Sequence, residues 1–220
     1  MGKKVNPIAY RLSSTSGWKS RWFGRGEEFA KNLLEDCKIR DLIRGKMGPQ
    51  AGISEINIER SLGRLDIVIH TARPGVLIGR GGKQLESLRE ELQKILGRKF
   101  KLDVVEVKKA DLSAMVVAQA IGMQISKRMP YRRAAKQALQ RVVDAGAKGV
   151  MIKISGRLDG AEISRAETFK SGSIPLSTLR SSIDFAVYHA PTTYGIIGIK
   201  VWINLGERVN LDVNSQEIKA

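Results

Sequence analysis

Acidic residues are scarce in this chain of 220 residues: 22 Asp and Glu stand against 38 Lys and Arg, a formal net charge of +16. That shortage makes a polyanion the expected partner, with nucleic acid the first candidate and a membrane surface the second. Long apolar runs are also missing. None nears the roughly 18 residues needed to span a bilayer, and no lipidation signal is visible. No apolar segment follows Lys3 and Lys4 as a secretory leader would require, so no membrane partner is expected. Cysteine occurs once, as Cys37, which excludes an internal disulfide and suits a reducing compartment. His70 and His189 lie too far apart in sequence to give metal-ligand spacing, so neither metal nor other cofactor is expected. No G-x-S-x-G elbow or metal-binding carboxylate pair appears. The chain therefore reads as a non-enzyme with no small-molecule substrate, placed in the cytoplasm or an organelle matrix.

What is present supports folded domains. Apolar residues make up 42% of the chain, and its length suffices for two modest cores. The charge is spread unevenly. Residues 1–26 hold six cations and no acid, residues 27–108 are near balance with 16 basic and 13 acidic, and residues 109–220 carry 16 basic and nine acidic. A self-contained middle domain flanked by two regions that face a polyanion fits this distribution.

The most informative stretch is Ile78-Gly79-Arg80-Gly81-Gly82-Lys83-Gln84-Leu85, a Gly-x-x-Gly turn between an extended run, Leu65–Ala72, and a helical period at Leu85, Leu88, Leu92 and Ile95. Glycines let backbone approach backbone closely, and helix-terminal amides with flanking cations can then hold phosphate. One RNA-binding module, the KH domain, clamps about four nucleotides with such a loop beside an apolar groove. Two other glycine motifs fail on spacing. A dinucleotide fingerprint needs glycine where Gln84 stands, and a P-loop needs glycine at Leu77 and Ser or Thr at Gln84. A turn that merely joins strand to helix would look the same, so the loop alone leaves that alternative open.

Around the loop the elements fall into order. Helical spacing from Glu27 through Phe29, Leu33, Ile39, Leu42 and Ile43 stops near Gly45 and Pro49; two alternating strands flank the turn Ser61-Leu62-Gly63; a third strand covers Lys101–Lys108. Helix, strand, strand, GxxG, helix, strand is the order of a type II KH domain over 27–108. Residues 1–26 show no clear period and read as a basic N-terminal extension that orders on a partner. From Asp111-Leu112-Ser113 a helix runs through Val117, Ile121 and Ile125, Pro130 breaks it, and a second covers Tyr131–Ala145 before Gly146. Period-two segments follow around Val150–Ile154, Ile183–Val187 and Ile197–Ile203. Residues 109–210 therefore read as a second α+β domain, two helices packed on an antiparallel sheet, and 211–220 as a tail.

The cations that could meet RNA group along the chain. From Lys127 to Arg141 there are six (Lys127, Arg128, Arg132, Arg133, Lys136, Arg141) and no anion. On a helix starting at Tyr131, Arg132 and Lys136 share one face with Arg133 beside them, while Ala135, Leu139 and Val142 form the buried stripe. Like charges at that spacing repel, and a polyanion would neutralise them. Arg157, Arg165, Lys170 and Arg180 sit in or beside the strands and turns of 155–181. Lys3, Lys4 and Arg11 supply the leader, and Gly79, Arg80, Gly81, Gly82 and Lys83 the loop. Trp22, Phe23 and Tyr194 could stack on bases; core packing is the expected fate of Phe169.

Taken together these residues resemble the family of bacterial-type small-subunit ribosomal protein three, nearly end to end. The resemblance runs from Met1-Gly2-Lys3-Lys4-Val5-Asn6-Pro7 through His70-Thr71-Ala72-Arg73-Pro74-Gly75, Tyr131-Arg132-Arg133-Ala134 and Ser155-Gly156-Arg157-Leu158. It continues in Gly160-Ala161-Glu162-Ile163 and from Thr192-Thr193-Tyr194-Gly195 to Gly198-Ile199-Lys200-Val201-Trp202-Ile203. It implies a structural rRNA-binding protein in the head of the small subunit that lines the channel through which mRNA enters. Its neighbours there would be small-subunit proteins two, ten and fourteen. The resemblance also gives Arg132, Arg133 and Lys136 a role in separating mRNA duplexes. Family loops often read Gly-Lys-Lys-Gly; here Gly81 replaces the second cation, which weakens a phosphate clamp. A free KH-type regulator acting off the ribosome would explain the loop and the charge but not the leader or the second domain. A membrane-surface protein and an RNA-processing enzyme are further rivals, the latter without catalytic residues.

Overall fold

The computed structural model of the chain describes residues 4–12, 14–61 and 64–207. Lys3, Leu62 and Gly63 of the expected turn, and the expected tail 211–220 lie outside the described residues. The chain divides into two compact units. One is Trp18–Ala110; the other joins the leader through Gly17 to the chain from Asp111 onward. The first helix, α1 (Pro7–Tyr10), thus belongs to the second of these.

In the Trp18–Ala110 unit, a two-residue strand β1 (Ser20–Arg21) precedes the long helix α2 (Gly26–Met47). Then come β2 (Ile53–Ser61), β3 (Arg64–Thr71), the short helix α3 (Pro74–Ile78), α4 (Lys83–Leu96) and β4 (Lys101–Glu106). The sheet order is β1-β2-β3-β4. The β2–β3 pair is antiparallel, while β1–β2 and β3–β4 are parallel. Alternation on β2 and β3 sends Ile56, Ile58, Leu65, Ile67 and Ile69 into one core, which Ile39 and Ile43 of α2 and Leu88 and Leu92 of α4 complete. Helix α2 continues past Gly45, and its acids Glu27 and Glu28 and cations Arg44 and Lys46 complement the helix dipole.

In the second unit α5 (Ala114–Ser126) and α6 (Tyr131–Asp144) precede β5 (Gly149–Gly156), β6 (Arg165–Gly172), β7 (Ser181–Thr192) and β8 (Gly195–Glu207). The strands are antiparallel in the order β6-β5-β8-β7. Val150, Ile152, Ile154, Ile199, Val201 and Ile203 meet Val117, Ile121, Ala134, Ala138 and Val142 of the two helices in one core. At Gly122 an added Cβ would overlap the Tyr188 ring, so glycine lets α5 lie this close to β7. Ser113 stands at the N-cap of α5, and the Ala114 amide donates to Asp184 at 2.7 Å. The opposite sheet face carries a smaller cluster of Met151, Ile183 and Trp202 with Ile174, Leu176 and Phe185. Among the described residues no helix is long and apolar enough to cross a membrane, and no group of His, Cys, Asp or Glu is arranged to hold a metal ion.

The leader departs from the sequence reading. Instead of one unstructured extension up to residue 26, its described part is divided between the units and fastened to each. Arg11 is fully buried. Its guanidinium donates to the carbonyls of Ser181 at 2.7 Å, Pro7 at 3.2 Å, Pro175 at 3.2 Å, Leu176 at 2.9 Å and Thr178 at 2.9 Å. Burial lowers its pKa from the usual value. In the other unit the Trp22 indole donates to Asp36 at 2.8 Å and Ser20 to the same carboxylate at 3.0 Å. Arg60 reaches Asp36 as well and Glu35 at 2.8 Å. Local periodicity could not show these attachments, because most of the partners lie on other segments. Arg11→Ala should destabilise the second unit by about 3–5 kcal/mol, since it strands several buried carbonyls, and Arg11→Lys should recover little of that. Amide-exchange protection along β7 in the full chain measures it; unchanged protection in Arg11→Ala would show the buried guanidinium to be dispensable.

Candidate nucleic-acid interface

Helix α6 starts immediately after Pro130, and its small residues face inward: Ala134, Ala135 and Ala138 are buried with Tyr131 and Val142. The expected stripe of Ala135, Leu139 and Val142 is therefore present, with Leu139 only partly buried. Arg132, Arg133 and Lys136 project outward and are exposed. Arg133 and Lys136 have no hydrogen-bond or ion-pair partner among the described residues. Arg132 does have one: Glu167 on β6 accepts from its Nε at 3.2 Å and its Nη2 at 2.8 Å. The Tyr131 hydroxyl donates to the same carboxylate at 2.6 Å, and Arg165 lies 3.9 Å from it. These hydrogen bonds, Arg132 first and Tyr131 second, hold the Glu167 carboxyl down at about 2 and raise the Arg132 pKa above its usual value. Sequence reading missed Glu167, because the anion-free stretch 127–141 gains its acid from a strand 35 residues further on.

The GxxG turn depends on backbone that only glycine adopts readily. Gly79, Gly81 and Gly82 have φ of +72°, +62° and +79°, and Gly82 is the N-cap of α4 without any side-chain cap. A Cβ at Gly79 would lie 3.0 Å from the Gln84 side chain, whereas at Gly81 and Gly82 it would meet open space. Arg80 and Lys83 are exposed beside the turn, and so are Val76 and Ile78 of α3. The loop can therefore present amides, two cations and an apolar wall to a phosphate-linked chain.

The remaining predicted residues do not form one patch. Lys127 and Arg128 lie between α5 and α6, and Arg157 lies 5.7 Å over the Tyr194 ring. Lys170 pairs in register with Met151, which belongs to the cluster on the sheet face away from α6. Arg180 pairs with Glu207 at 3.4 Å. Lys4 is exposed. Arg11 must be withdrawn as an RNA contact: it is buried, and each of its guanidinium nitrogens donates inside the protein. Trp22 is likewise committed, with its ring 5.3 Å from Phe29 and under Arg60; Phe23 and Tyr194 stay exposed, and Phe169 packs against the core.

Comparison with known proteins assigns both halves. A family model described as KH domain matches residues 38–112, and one described as Ribosomal protein S3, C-terminal domain matches 121–203. The chain is 50% identical over 208 residues to a protein named small ribosomal subunit protein uS3 of Chlamydia trachomatis, covering 94% of this chain and 92% of that one. It is 49% identical to the protein of that name in Desulforudis audaxviator and 46% identical to that of Bacillus cytotoxicus, with 94% of each chain covered in both cases.

The Arg132–Glu167 pair sets a pH expectation. A carboxyl held below its ordinary 4.5 contributes stability that is complete above that value and is lost as pH falls through about 2. An NMR titration of the Glu167 side chain should give a midpoint near 2. Arg132→Ala should raise the midpoint only part of the way back, because Tyr131 still donates. A midpoint unmoved by that substitution would show that the pair does not form in solution.

Proposed function

The chain belongs to the uS3 family of small-subunit ribosomal proteins, and from that premise we propose that it binds rRNA in the subunit head and lines the entrance of the mRNA channel. It is a structural component of the ribosome, not an enzyme, and in a bacterial-type ribosome its compartment is the cytoplasm. The observation that carries the finer reading is the outer face of α6. Arg132, Arg133 and Lys136 share it, two of them without an internal anion, on a helix held rigidly by its buried alanines. In this reading they grip phosphates of incoming mRNA and help open its duplexes, while Lys127, Arg128, Arg157 and Arg165 hold rRNA.

Residues 27–108 act as the KH module and 109–210 as the second RNA-facing domain, with the loop Gly79–Lys83 and the exposed Lys4 as further contacts; Lys3 extends the same basic leader. Lys170 and Arg180 serve the other face of the second unit. Protein neighbours fit the exposed apolar residues of α2 and the segment before it, Phe23, Phe29, Leu33 and Leu34. A strip of that kind seats small-subunit proteins ten, fourteen or two better than it seats RNA.

A channel must accept every mRNA sequence, so α6 has to contact phosphate and not base edges. Changing Arg132, Arg133 and Lys136 together to Ala should weaken mRNA binding at the entrance about equally for all sequences. The log–log salt slope should shrink by roughly two to three units, at about 0.7–0.9 per lost contact. Incorporation into the subunit should survive, since the buried side of α6 is untouched and Ala favours helix. Translation through a stable mRNA hairpin should slow more than that of an open template. Triple-mutant ribosomes that cross both at wild-type speed would refute the channel role, and a wild-type chain that fails to co-sediment with small subunits would favour a free RNA regulator.

A further inference from the structure

Beside the α6 face, the second unit contains a hollow of about 360 Å³ between the end of α5, the start of α6, the turn at 157–160 and the β7–β8 hairpin. Its floor is apolar, formed by Ile125, Met129, Tyr131 and Ile197, and its rim carries Arg128, Arg157, Asp159 and Tyr194. Three features set it apart from an incidental dent.

The first is backbone strain. Among the described residues only two other than glycine have positive φ, Arg128 at 63° and Asp159 at 52°, and both line this hollow. Such conformations collect where a site needs them. The second is the aromatic rim. Tyr194 is 59% exposed, and it lies over the turn because Gly160 has no side chain: a Cβ there would be 3.0 Å from the ring. Arg157 covers the ring at 5.7 Å while its Nε donates to the Ala161 carbonyl at 3.0 Å, which leaves its terminal nitrogens free to meet a ligand. The third is an isolated acid. The Asp159 side chain makes no hydrogen bond or ion pair among the described residues, and neither does the Arg128 side chain. A carboxylate left open among cations on a nucleic-acid-binding unit costs phosphate affinity, so its presence there points to a ligand that offers donors.

The ligand follows from the chemistry of the rim. A flat heteroaromatic ring stacks on Tyr194 over the apolar floor, as unpaired RNA bases do on aromatic side chains. Arg128 and Arg157 can meet the phosphates on either side of it. An ionised carboxylate only accepts. Guanine alone presents two adjacent donors, N1–H and N2–H, that match its two oxygens. Adenine and cytosine place an acceptor beside their amino group, and uracil flanks its single N–H with carbonyls. We propose that this hollow is a binding site for one unpaired guanosine of the small-subunit rRNA. The base stacks against Tyr194 and pairs through its Watson–Crick edge with Asp159. A guanine-selective site suits a fixed rRNA position; it would not suit mRNA, whose sequence varies. The proposal rests on the reading of the chain as an rRNA-binding ribosomal protein.

Kethoxal modifies guanine at the same N1 and N2 atoms, so it reads this contact directly in small subunits reconstituted with the full chain. One rRNA guanine protected in wild-type subunits should become more reactive by roughly fivefold or more in Asp159→Asn, and again in Tyr194→Leu. Co-sedimentation should be unchanged. Asp159→Asn removes no internal bond and keeps the test valid should Tyr194→Leu fail to incorporate. An unchanged kethoxal pattern in a variant that co-sediments overturns the guanosine site and leaves the ribosomal reading standing. Increased reactivity spread over many guanines also overturns it, as the mark of loosened assembly. A wild-type chain that never joins the subunit overturns the ribosomal reading itself.

Discussion

What the second unit offers a polyanion depends on how closely α6 lies against the sheet. Ala134, Ala135 and Ala138 fill that contact and are almost wholly buried. Side chains this small bring the helix backbone near the strands, and at that distance Tyr131 and Arg132 both reach Glu167 on β6. A larger residue at any of the three would lift the helix and break the shared carboxylate before it disturbed the rest of the core. The helix is therefore tied to the sheet twice, by apolar packing beneath and by a charged hydrogen-bond network at its first turn. The backbone that presents these cations therefore loses little conformational freedom when they meet phosphate.

The chain uses its basic residues in two opposite ways. Arg60 and Arg11 are structural: the first is matched by Glu35 and Asp36, the second by backbone carbonyls. Arg40 is similar, donating to the Ile56 carbonyl at 2.7 Å and to Ser20 at 2.7 Å. Arg133, Lys136, Lys127 and Arg128 stand outside with no such partners among the described residues. A net charge of +16 therefore says which kind of partner to expect and says little about where it binds. Long guanidinium side chains serve the interior well, because a planar fork of donors can satisfy several carbonyls at once. Lysine appears mostly where the charge has to remain in solvent.

The sequence made the regular elements legible because their periods are uninterrupted. Ile56 and Ile58 alternate, as do Leu65, Ile67 and Ile69, while Leu88 and Leu92 share one helix face, and all reach the same core. The GxxG turn was legible because three glycines with positive φ leave a mark that no other residue type makes. Three things were not. Helix α3 spans five residues, too few to show a period. Strand β6 lies at the sheet edge, and its burial swings only between exposed and intermediate, which blurs its alternation. The attachments of the leader were hidden by distance, since four of the five carbonyls that Arg11 donates to lie 164–170 residues away. Arg11 and Trp22 looked like RNA contacts for that reason: a cation or an aromatic in a stretch without period carries no sign of what it touches.

The second unit separates two kinds of recognition that a ribosomal protein has to combine. On the α6 face the charged groups Arg132, Arg133 and Lys136 are all cations, at the end of flexible stems, and they can respond to any phosphate that passes. Around the hollow the groups are of mixed character: an open carboxylate, a stacking ring and two arginines, with the backbone of Arg128 and Asp159 held in left-handed conformations. A surface of the first kind tolerates motion and sequence change in its ligand, whereas one of the second kind needs a ligand that stays in place. The two lie on one rigid core, because Tyr131 is buried between them and its hydroxyl bonds to the carboxylate that holds Arg132. An anchor to fixed RNA would then hold the α6 face in position against a moving strand without gripping that strand by sequence.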